Sequence, residues 1–307
     1  MSRSDRARGV LLGLALGDAL GAPFEGRSQI AGAQVAAWID AREPLRWTDD
    51  THMALTLARH LVDDPQLDDP EALGTAFARA YARKPWRGYG SGPPQVFAMV
   101  EQGLRFEEAA GTLFGGSGSF GNGAAMRVAP VGLLPAATDP RDAARLAAVQ
   151  ARVTHTHPDA IAGATVVAQV IAGLIDAERI NADAIVGVVS AATGRLSPGP
   201  VHDGLIDVLD VVGSGGDAAT AAGRCGTGVA AAESVPAAIA ALLAGGGDVL
   251  QVVTTAIGFG GDTDTIAAMA GALAGAARGL EHLPDTLLDR LEARADLEQL
   301  AQTLSCR

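Results

Sequence analysis

Two short acidic segments carry the residue types and spacing best suited to chemistry. Thr48, Asp49 and Asp50 stand together in WTDDTHMAL, at the start of an amphipathic helical pattern, and GGDTDTIAAMA carries a similar set at its own helix start. The second set is Asp262, Asp264 and Thr265. Capping explains one such residue at a helix start, because a Thr or Asp oxygen accepts the free N–H groups of the first turn. It explains three in a row poorly.

Each acidic segment offers two carboxylates and a hydroxyl, and all of these are hard oxygen ligands. Such ligands suit Mg²⁺ or Mn²⁺ rather than zinc. If the two segments converged, their four carboxylates would repel one another strongly unless divalent cations neutralised them. The pattern therefore predicts two metal ions held between the segments, with simple capping of both helices as the alternative.

Two glycine-rich segments could bring backbone N–H groups close to an anionic ligand. Gly88, Gly90 and Gly92 alternate in WRGYGSGPP, and GSGSFGNGAAMR leads into a helix. The candidate binding residues in the second segment are Gly118, Ser119, Phe120, Gly121 and Asn122. N–H groups at such helix entries bind phosphates, whereas an ordinary flexible loop is the alternative. Trp86 and Tyr89 could stack on a base or serve only in packing.

Two histidines and a glutamate are further candidates. His155 and His157 lie two apart in THTHPDAIAGA, but no Cys or nearby third ligand supports zinc, so a hydrogen-bonding role in a loop is favoured. Glu25 follows the first predicted helix on a turn flanked by Gly and Pro. It is a surface carboxylate by default, and near two metals it could act as a general acid or base.

The composition of the chain favours helices as the scaffold for these residues. Of 307 residues, 48% are hydrophobic and only 4% aromatic, and Ala and Gly fill the remaining space, as in closely packed helices. Apolar residues recur with a period near 3.6. This period predicts helices over 6–21, 51–63, 70–83, 94–103, 122–135, 140–153, 158–177, 182–193, 201–211, 216–222, 229–244, 248–257, 263–279 and 284–303. Residues 184–192 could instead form a strand.

The chain is predicted to be one domain over residues 1–307. The stretch 197–204 is the best candidate for a boundary, but residues suited to chemistry lie on both sides of it. Gly13, Gly17 and Gly21 recur every four residues, which indicates a tightly packed helix face. The N-terminus superficially resembles an export signal, although Asp18 interrupts its apolar run.

The net charge and the cysteine content indicate which binding partners and which cellular compartment to expect. The net charge is -12, and no basic stretch suggests nucleic-acid binding. Two cysteines form no disulfide framework, which fits a reducing cytoplasm. No apolar run approaches the ~20 residues of a membrane-spanning helix, so no membrane association is expected.

Together, these segments resemble the (ADP-ribosyl)hydrolase family, also called the dinitrogenase-reductase-activating glycohydrolases. The matching pieces cover nearly the whole chain in the order of the family: GLALGDALGAPFE, WTDDTHMAL, RGYGSG, GSFGNGAAMR, THTHPDAIAGA, GTGVAAAESVPAAI and GFGGDTDTIAAMAGALAGA. The resemblance implies an all-α, compact, single-domain orthogonal helix bundle with a binuclear Mg²⁺ or Mn²⁺ centre. By matching position, the metal ligands would be Thr48, Asp49, Asp50, Asp262, Asp264 and Thr265.

The resemblance also implies roles for the other candidates. The loops at Gly88–Gly92 and Ser119–Asn122 would hold the diphosphate and the distal ribose, and His155 would contact the substrate. Glu25 would gate or assist catalysis. Glu25 or a ligand aspartate, such as Asp49 or Asp264, would help to deprotonate the water that attacks the ribose C1.

The implied activity is hydrolysis of the glycosidic bond between ADP-ribose and a protein side chain or another conjugate, releasing ADP-ribose. RGYGSG followed by GSFGNGAAMR is most similar to the branch that acts on serine and other O-linked ADP-ribose. Phe120 stands where that branch often has tyrosine, so the arginine-linked branch and small-conjugate hydrolases stay open. A non-catalytic ADP-ribose binder and a phosphohydrolase that cleaves the diphosphate are rival functions.

Overall fold

In a computed structural model, which describes residues 1–28 and 30–306, the chain folds into α-helices joined by short loops. The first nine helices are α1 (Arg3–Gly21), α2 (Gly32–Asp40), α3 (Asp49–Asp63), α4 (Pro70–Arg83), α5 (Gly92–Glu101), α6 (Phe106–Gly116), α7 (Gly123–Met126), α8 (Ala129–Leu133) and α9 (Pro140–Arg152). The remainder are α10 (Pro158–Asp176), α11 (Ala182–Thr193), α12 (Pro200–Gly213), α13 (Ala218–Cys225), α14 (Ala231–Ala244), α15 (Val249–Gly258), α16 (Thr263–Arg278), α17 (Asp285–Leu288) and α18 (Arg294–Ser305). Short 3₁₀ turns lie at Ala22–Phe24, Pro135–Thr138 and Leu280–His282. Within the described residues, β-pairing is limited to isolated bridges, which confirms the all-α prediction.

Helices α1 and α16 pack antiparallel against each other in the core with backbone nearly touching backbone. A Cβ atom added at Gly9 would lie 2.6 Å from the Gly275 carbonyl oxygen, and one added at Gly21 would lie 2.6 Å from the Asp264 Cα. The glycines that recur every four residues therefore line a contact face, as predicted. This contact fixes the start of α16, where the second acidic segment lies, against the end of α1.

The glycine contact gives a testable prediction for stability. A Cβ at Gly17 would overlap the backbone carbonyl of Ala267, so no side chain can move aside to relieve the clash. We expect Gly17→Ala to lower the free energy of unfolding by about 1–3 kcal/mol, the usual cost of overpacking, despite the better helix propensity of alanine. Denaturant unfolding measures the change.

Gly187 in α11 provides the matched control, because a Cβ added there meets nothing within 4 Å. Gly187→Ala should be neutral or stabilise the fold by up to about 1 kcal/mol. Equal effects of the two substitutions would contradict close α1–α16 packing.

Several predicted elements differ from the observed ones. The single helix predicted over 122–135 is broken into α7 and α8, because Pro130 has no N–H to continue the helical ladder. The helix predicted over 284–303 is divided into α17 and α18 at Ala293, which adopts a left-handed conformation with φ 59°. Helices α2 and α6 were not predicted. The strand alternative for 184–192 is wrong, since these residues lie in α11.

The buried apolar side chains form one continuous core that spans the chain. It includes Leu16 of α1, Leu57 of α3, Leu205 of α12 and Leu273 of α16. Helices on both sides of the 197–204 stretch contribute to this core.

Two helices are long and apolar enough to cross a membrane by length and composition alone, so the expectation that no apolar run approaches that length is wrong. They are α1 together with the 3₁₀ turn that follows it, over Arg3–Phe24, and α10, over Pro158–Asp176. In the folded chain, 83% of the apolar stretch of the first and 67% of that of the second are buried. The core helix of a soluble protein passes the same test, so this is weak evidence for a membrane span.

Candidate active site

The first turn of α3 is capped by Asp18, a residue of α1. Its Oδ1 accepts a hydrogen bond from the Thr48 backbone N–H at 2.9 Å, and its Oδ2 accepts from the Thr51 backbone N–H at 3.0 Å and the Thr51 hydroxyl at 2.6 Å. Thr48 is the N-cap residue, but its side chain makes no capping bond and instead donates to Asp50 Oδ2 at 3.1 Å. The side chains of Thr48, Asp49 and Asp50 are therefore not used to cap the helix.

This role of Asp18 was not predicted, because in the sequence the residue only interrupts an apolar run. Asp18 is fully buried, and desolvation raises its pKa to about 6 although several hydrogen bonds from Thr48 and Thr51 oppose the shift. A lone aspartate within an otherwise apolar helix was the available signal. Its partners are about thirty residues away, so the sequence could not identify them.

Removing this cap should disturb the site and not only the fold. We expect Asp18→Ala to lower the free energy of unfolding by about 1–3 kcal/mol, because the N–H groups of Thr48 and Thr51 lose their buried acceptor. Turnover should also fall by about tenfold or more, because Asp49 and Asp50 lie in this turn and would lose their fixed position. Denaturant unfolding and steady-state kinetics measure the two effects.

Asp69 offers a matched control, because it caps α4 from an exposed position by accepting from the Ala72 N–H at 3.0 Å. Asp69→Ala should cost about 1 kcal/mol and leave turnover unchanged. If Asp18→Ala kept wild-type turnover, its role as a positioning residue would be wrong.

The second acidic segment begins α16 in a similar way. Asp262 is the N-cap residue and makes no side-chain capping bond; its Oδ2 instead accepts from the Asn122 amide at 2.6 Å. Asn122 also donates to the Ser234 hydroxyl at 3.1 Å, which fixes its amide. The Thr263 hydroxyl donates to the Gly21 carbonyl at 2.9 Å and is thereby committed to α1.

Both acidic segments open into the same cleft, which has a volume of about 430 Å³. Its walls include Asp49, Asp50, Asp262, Asp264 and Thr265, all buried. Thr48 lies on the wall of a neighbouring cavity and reaches the cluster through its bond to Asp50. Glu25 is exposed and also lines the cleft, and oxygens of Glu25, Asp262 and Asp264 lie within 4.8 Å of one another.

Burial and mutual repulsion raise the pKa values of these carboxyls. Desolvation, reinforced by Asp18, raises the pKa of Asp49 to about 7, and desolvation together with Asp262 raises that of Asp264 to about 9. Desolvation and the surrounding aspartates raise the pKa of Asp50 well above its usual value. Partial burial and, to a smaller extent, the negative charge of Asp262 raise the pKa of Glu25. Among the described residues that line the cleft there is no Lys or Arg to offset these carboxyls, so bound protons or cations must do so.

The donor set fits a divalent cation. The site offers carboxylate and hydroxyl oxygens, the ligands that Mg²⁺ and Mn²⁺ prefer. Asp50 Oδ1 is buried and has no hydrogen-bond partner, an arrangement that costs free energy unless a ligand satisfies the atom. The geometry is thus compatible with the predicted metal centre, and the assignment of individual ligands stays a prediction.

The glycine-rich segments form much of the remaining wall. Gly88, Gly90 and Gly92 line the cleft, and Gly88 has a φ of +94°, which favours glycine. The second segment contributes Ser119, Phe120, Gly121 and Asn122. Gly118 is not on the cleft wall; its φ is +74° and an added Cβ would clash with the Thr156 side chain, so it serves the turn.

The two histidines have different positions. His155 is buried on the cleft wall, and its Nδ1 hydrogen-bonds the Thr154 hydroxyl at 2.8 Å. His157 caps α10 by accepting from the Asp159 N–H at 3.2 Å. Desolvation and, to a smaller extent, the positive charge of Arg127 lower the pKa of His155 to about 3, so its ring is neutral. Contact of His155 with the substrate stays a prediction.

An exposed aromatic pair lies on the cleft wall. The rings of Phe114 and Phe120 are 5.7 Å apart, and both residues are more than two-fifths exposed. Phe114 was not predicted; it lies at a kink in α6 with φ +51°. Tyr89 is not free to stack on a ligand, because its hydroxyl bonds His52 Nδ1 at 2.8 Å and its ring packs on Tyr81.

The chain is similar over nearly its whole length to known proteins. A family model described as ADP-ribosylglycohydrolase matches residues 1–306. The mouse protein named ADP-ribosylhydrolase ARH3 is 31% identical, covering 97% of this chain and 90% of its own length. The human protein of that name is 30% identical, covering 97% and 92%. A solved structure titled "ADP-ribosylglycohydrolase-related protein complex" superposes with a TM-score of 0.75 at 27% identity, covering 99% of this chain and 98% of that one.

Proposed function

Because the chain belongs to the ADP-ribosylglycohydrolase family and is therefore a glycosyl hydrolase, we propose that it releases ADP-ribose from a serine of a modified protein with the help of two Mg²⁺ or Mn²⁺ ions. The observation that carries the metal centre is the buried acidic cluster with the unpartnered Asp50 Oδ1. The preference for serine rests on the two glycine-rich segments, RGYGSG and GSFGNGAAMR.

The proposed metal ligands are the two acidic sets at the starts of α3 and α16. They are Thr48, Asp49, Asp50, Asp262, Asp264 and Thr265. Bound divalent cations would hold the ribose hydroxyls and stabilise charge that develops during attack on C1. Asp18 and Asn122 hold the two sets in place, one through the backbone of α3 and the other through Asp262.

The rest of the cleft suits the other parts of ADP-ribose. The N–H groups of Gly88 and Gly90 make no hydrogen bond within the described residues, so they are available to the diphosphate. Phe114 and Phe120 offer an apolar surface for the adenine. His155, held by Thr154, would donate from Nε2 to the substrate.

Glu25 is the proposed proton carrier. Its raised pKa and its place beside Asp262 and Asp264 suit a group that takes a proton from the attacking water. The water oxygen bonds to C1, the bond from C1 to the serine oxygen breaks, and the proton passes to that oxygen. The products are ADP-ribose and an intact serine hydroxyl, so no oxidant or further reactant is needed.

Turnover on a panel of substrates tests this function. Serine-linked, arginine-linked and acetylated ADP-ribose are each incubated with Mg²⁺, Mn²⁺ or a chelator, and the products are separated by chromatography. We expect intact ADP-ribose, fastest from the serine-linked substrate, and no turnover with the chelator. Faster turnover of arginine-linked ADP-ribose would reassign the linkage, and release of AMP with ribose phosphate would show cleavage of the diphosphate instead.

A further inference from the structure

A second cavity, of about 610 Å³, adjoins the acidic cleft. Gly88 lines both spaces, and Thr48, whose hydroxyl bonds Asp50, lines the second. A Cβ added at Gly88 would lie 3.5 Å from Asp49 Oδ1 and 3.8 Å from Thr48 Cβ. The wall between the two spaces is therefore thin at the metal-binding end of the cleft.

The second cavity is cationic although the chain carries a net charge of -12. Its lining includes Arg46, Arg87 and Arg290 against a single carboxylate, Glu292. Arg87 is paired with Glu292 through both terminal nitrogens. Among the described residues, neither Arg46 nor Arg290 forms an ion pair with a carboxylate.

The hydrogen bonding of these arginines is also incomplete. Arg290 donates from Nε and Nη1 to the carbonyls of Glu43 and Ile39, at 2.8 Å each, whereas its Nη2 is buried without a partner. The Nε of Arg87 is buried without a partner as well. Arg46 is exposed and its side chain makes no hydrogen bond within the described part of the chain. It is free to bind a ligand without disturbing the fold.

Trp86 adds an apolar contact surface to this charged cavity. It is 73% exposed, more than any other large hydrophobic residue among those the structure describes. It lies next to Arg87, whose guanidinium stacks 3.9 Å from the centre of the buried Trp47 ring. An exposed tryptophan beside arginines is the composition of a site that binds polypeptide.

The position of the cavity relative to the proposed substrate indicates its occupant. Phe114 and Phe120 would hold the adenine, and the acidic cluster would hold the ribose whose C1 carries the acceptor residue. The acidic end of the cleft meets the cationic cavity at Gly88, so a polypeptide attached at C1 would lie within reach of that cavity. A small conjugate would not reach across this wall, whereas a polypeptide would.

We propose that the cavity lined by Arg46, Trp86 and Arg290 binds the polypeptide on either side of the modified residue and selects substrates with acidic side chains next to it. This inference rests on the proposed function and deepens it by naming a class of target. The cationic surface also offsets the repulsion that an acidic peptide would meet from the net negative charge of the enzyme.

The test compares two ADP-ribosylated peptides that differ only in their flanks, acidic in one and neutral in the other, with an ADP-ribose conjugate that has no peptide. We expect the wild-type enzyme to favour the acidic peptide by about tenfold in kcat/KM. Arg46→Glu should abolish this preference through KM and change turnover of the small conjugate by less than about twofold. Arg141→Glu is the charge-matched control, since Arg141 is exposed and pairs only with the neighbouring Asp139 among the described residues.

Calorimetric binding of the same peptides separates failure of this inference from failure of the proposed function. If the enzyme hydrolyses no ADP-ribosyl bond but binds the acidic peptide more tightly, and Arg46→Glu removes the difference, the docking site stands and the proposed function fails. Equal binding and turnover of acidic and neutral peptides by the wild type would overturn the docking site alone. An equal loss in Arg46→Glu and Arg141→Glu would also overturn it, because general charge would then explain the effect.

Discussion

Replacing Asp264 by asparagine should lower turnover by about a thousandfold or more while the chain stays folded. Asp264 is buried in the acidic cluster between Asp262 and Thr265, and its Oδ1 accepts from the Thr265 N–H at 2.9 Å. An amide of the same shape keeps an oxygen for this bond, but it lacks the charge that a divalent cation needs. The loss should therefore appear in turnover and metal affinity rather than in the fold.

Asparagine also mimics the protonated carboxyl, the form that the raised pKa of Asp264 favours in the metal-free protein. We therefore expect metal-free Asp264→Asn to be at least as stable as the metal-free wild type. Kinetics, metal titration by calorimetry and denaturant unfolding measure the three quantities. Asp217→Asn is the control, because Asp217 caps α13 from an exposed position and asparagine caps equally well. Near-wild-type turnover of Asp264→Asn with metal bound would refute the metal-centred scheme.

Divalent cations should stabilise the fold more strongly as the pH rises. The folded-state pKa values of Asp49, Asp50 and Asp264 are raised, so between about pH 4 and about pH 9 these three carboxyls hold more protons in the folded metal-free chain than in the unfolded chain. The contribution of these three carboxyls to the free energy of unfolding therefore falls as the pH increases through this range. Saturating Mg²⁺ or Mn²⁺ replaces those protons and restores the lost stability.

Thermal melting at several pH values, with and without the divalent cation, measures this effect as a difference in Tm. We expect the difference to be small near pH 5 and largest near pH 9. A monovalent salt at equal ionic strength controls for screening, and Asp264→Asn should show a smaller difference than the wild type. A difference in Tm that shrinks as the pH rises would contradict cation binding by these carboxylates.

Much of the candidate site could be predicted from the sequence, because its signals are local. Asp49 and Asp50 adjoin a helix start, as do Asp262 and Asp264, and three polar residues in a row exceed what a cap requires. The periodic glycines of α1 likewise indicated a close helix contact, which the structure places against α16. Two errors in the helices lie where a proline or a left-handed residue interrupts an apolar pattern, at Pro130 and Ala293, whereas α2 and α6 were not predicted.

The features that the sequence did not predict depend on residues far apart in the chain. Asp18 caps a helix that begins about thirty residues later, and Asn122 orients Asp262 across 140 positions. Phe114 faces the cleft because α6 is kinked at that residue. The cationic cavity joins Arg46, Trp86 and Arg290 from three separate segments. None of these contacts produces a periodic or short-range pattern in the amino-acid sequence.

The sequence by itself determined the helical fold class, the family resemblance and the set of oxygen donors, since composition, periodicity and adjacent polar residues are local properties of the chain. The tertiary structure alone decided that the carboxylates of both acidic sets line one cleft and that a cationic cavity lies beyond Gly88. It also decided that Asp18, rather than Thr48, Asp49 or Asp50, caps α3. The physical reason is that burial and repulsion act between groups brought together by packing, and the packing of α1 on α16 sets those distances.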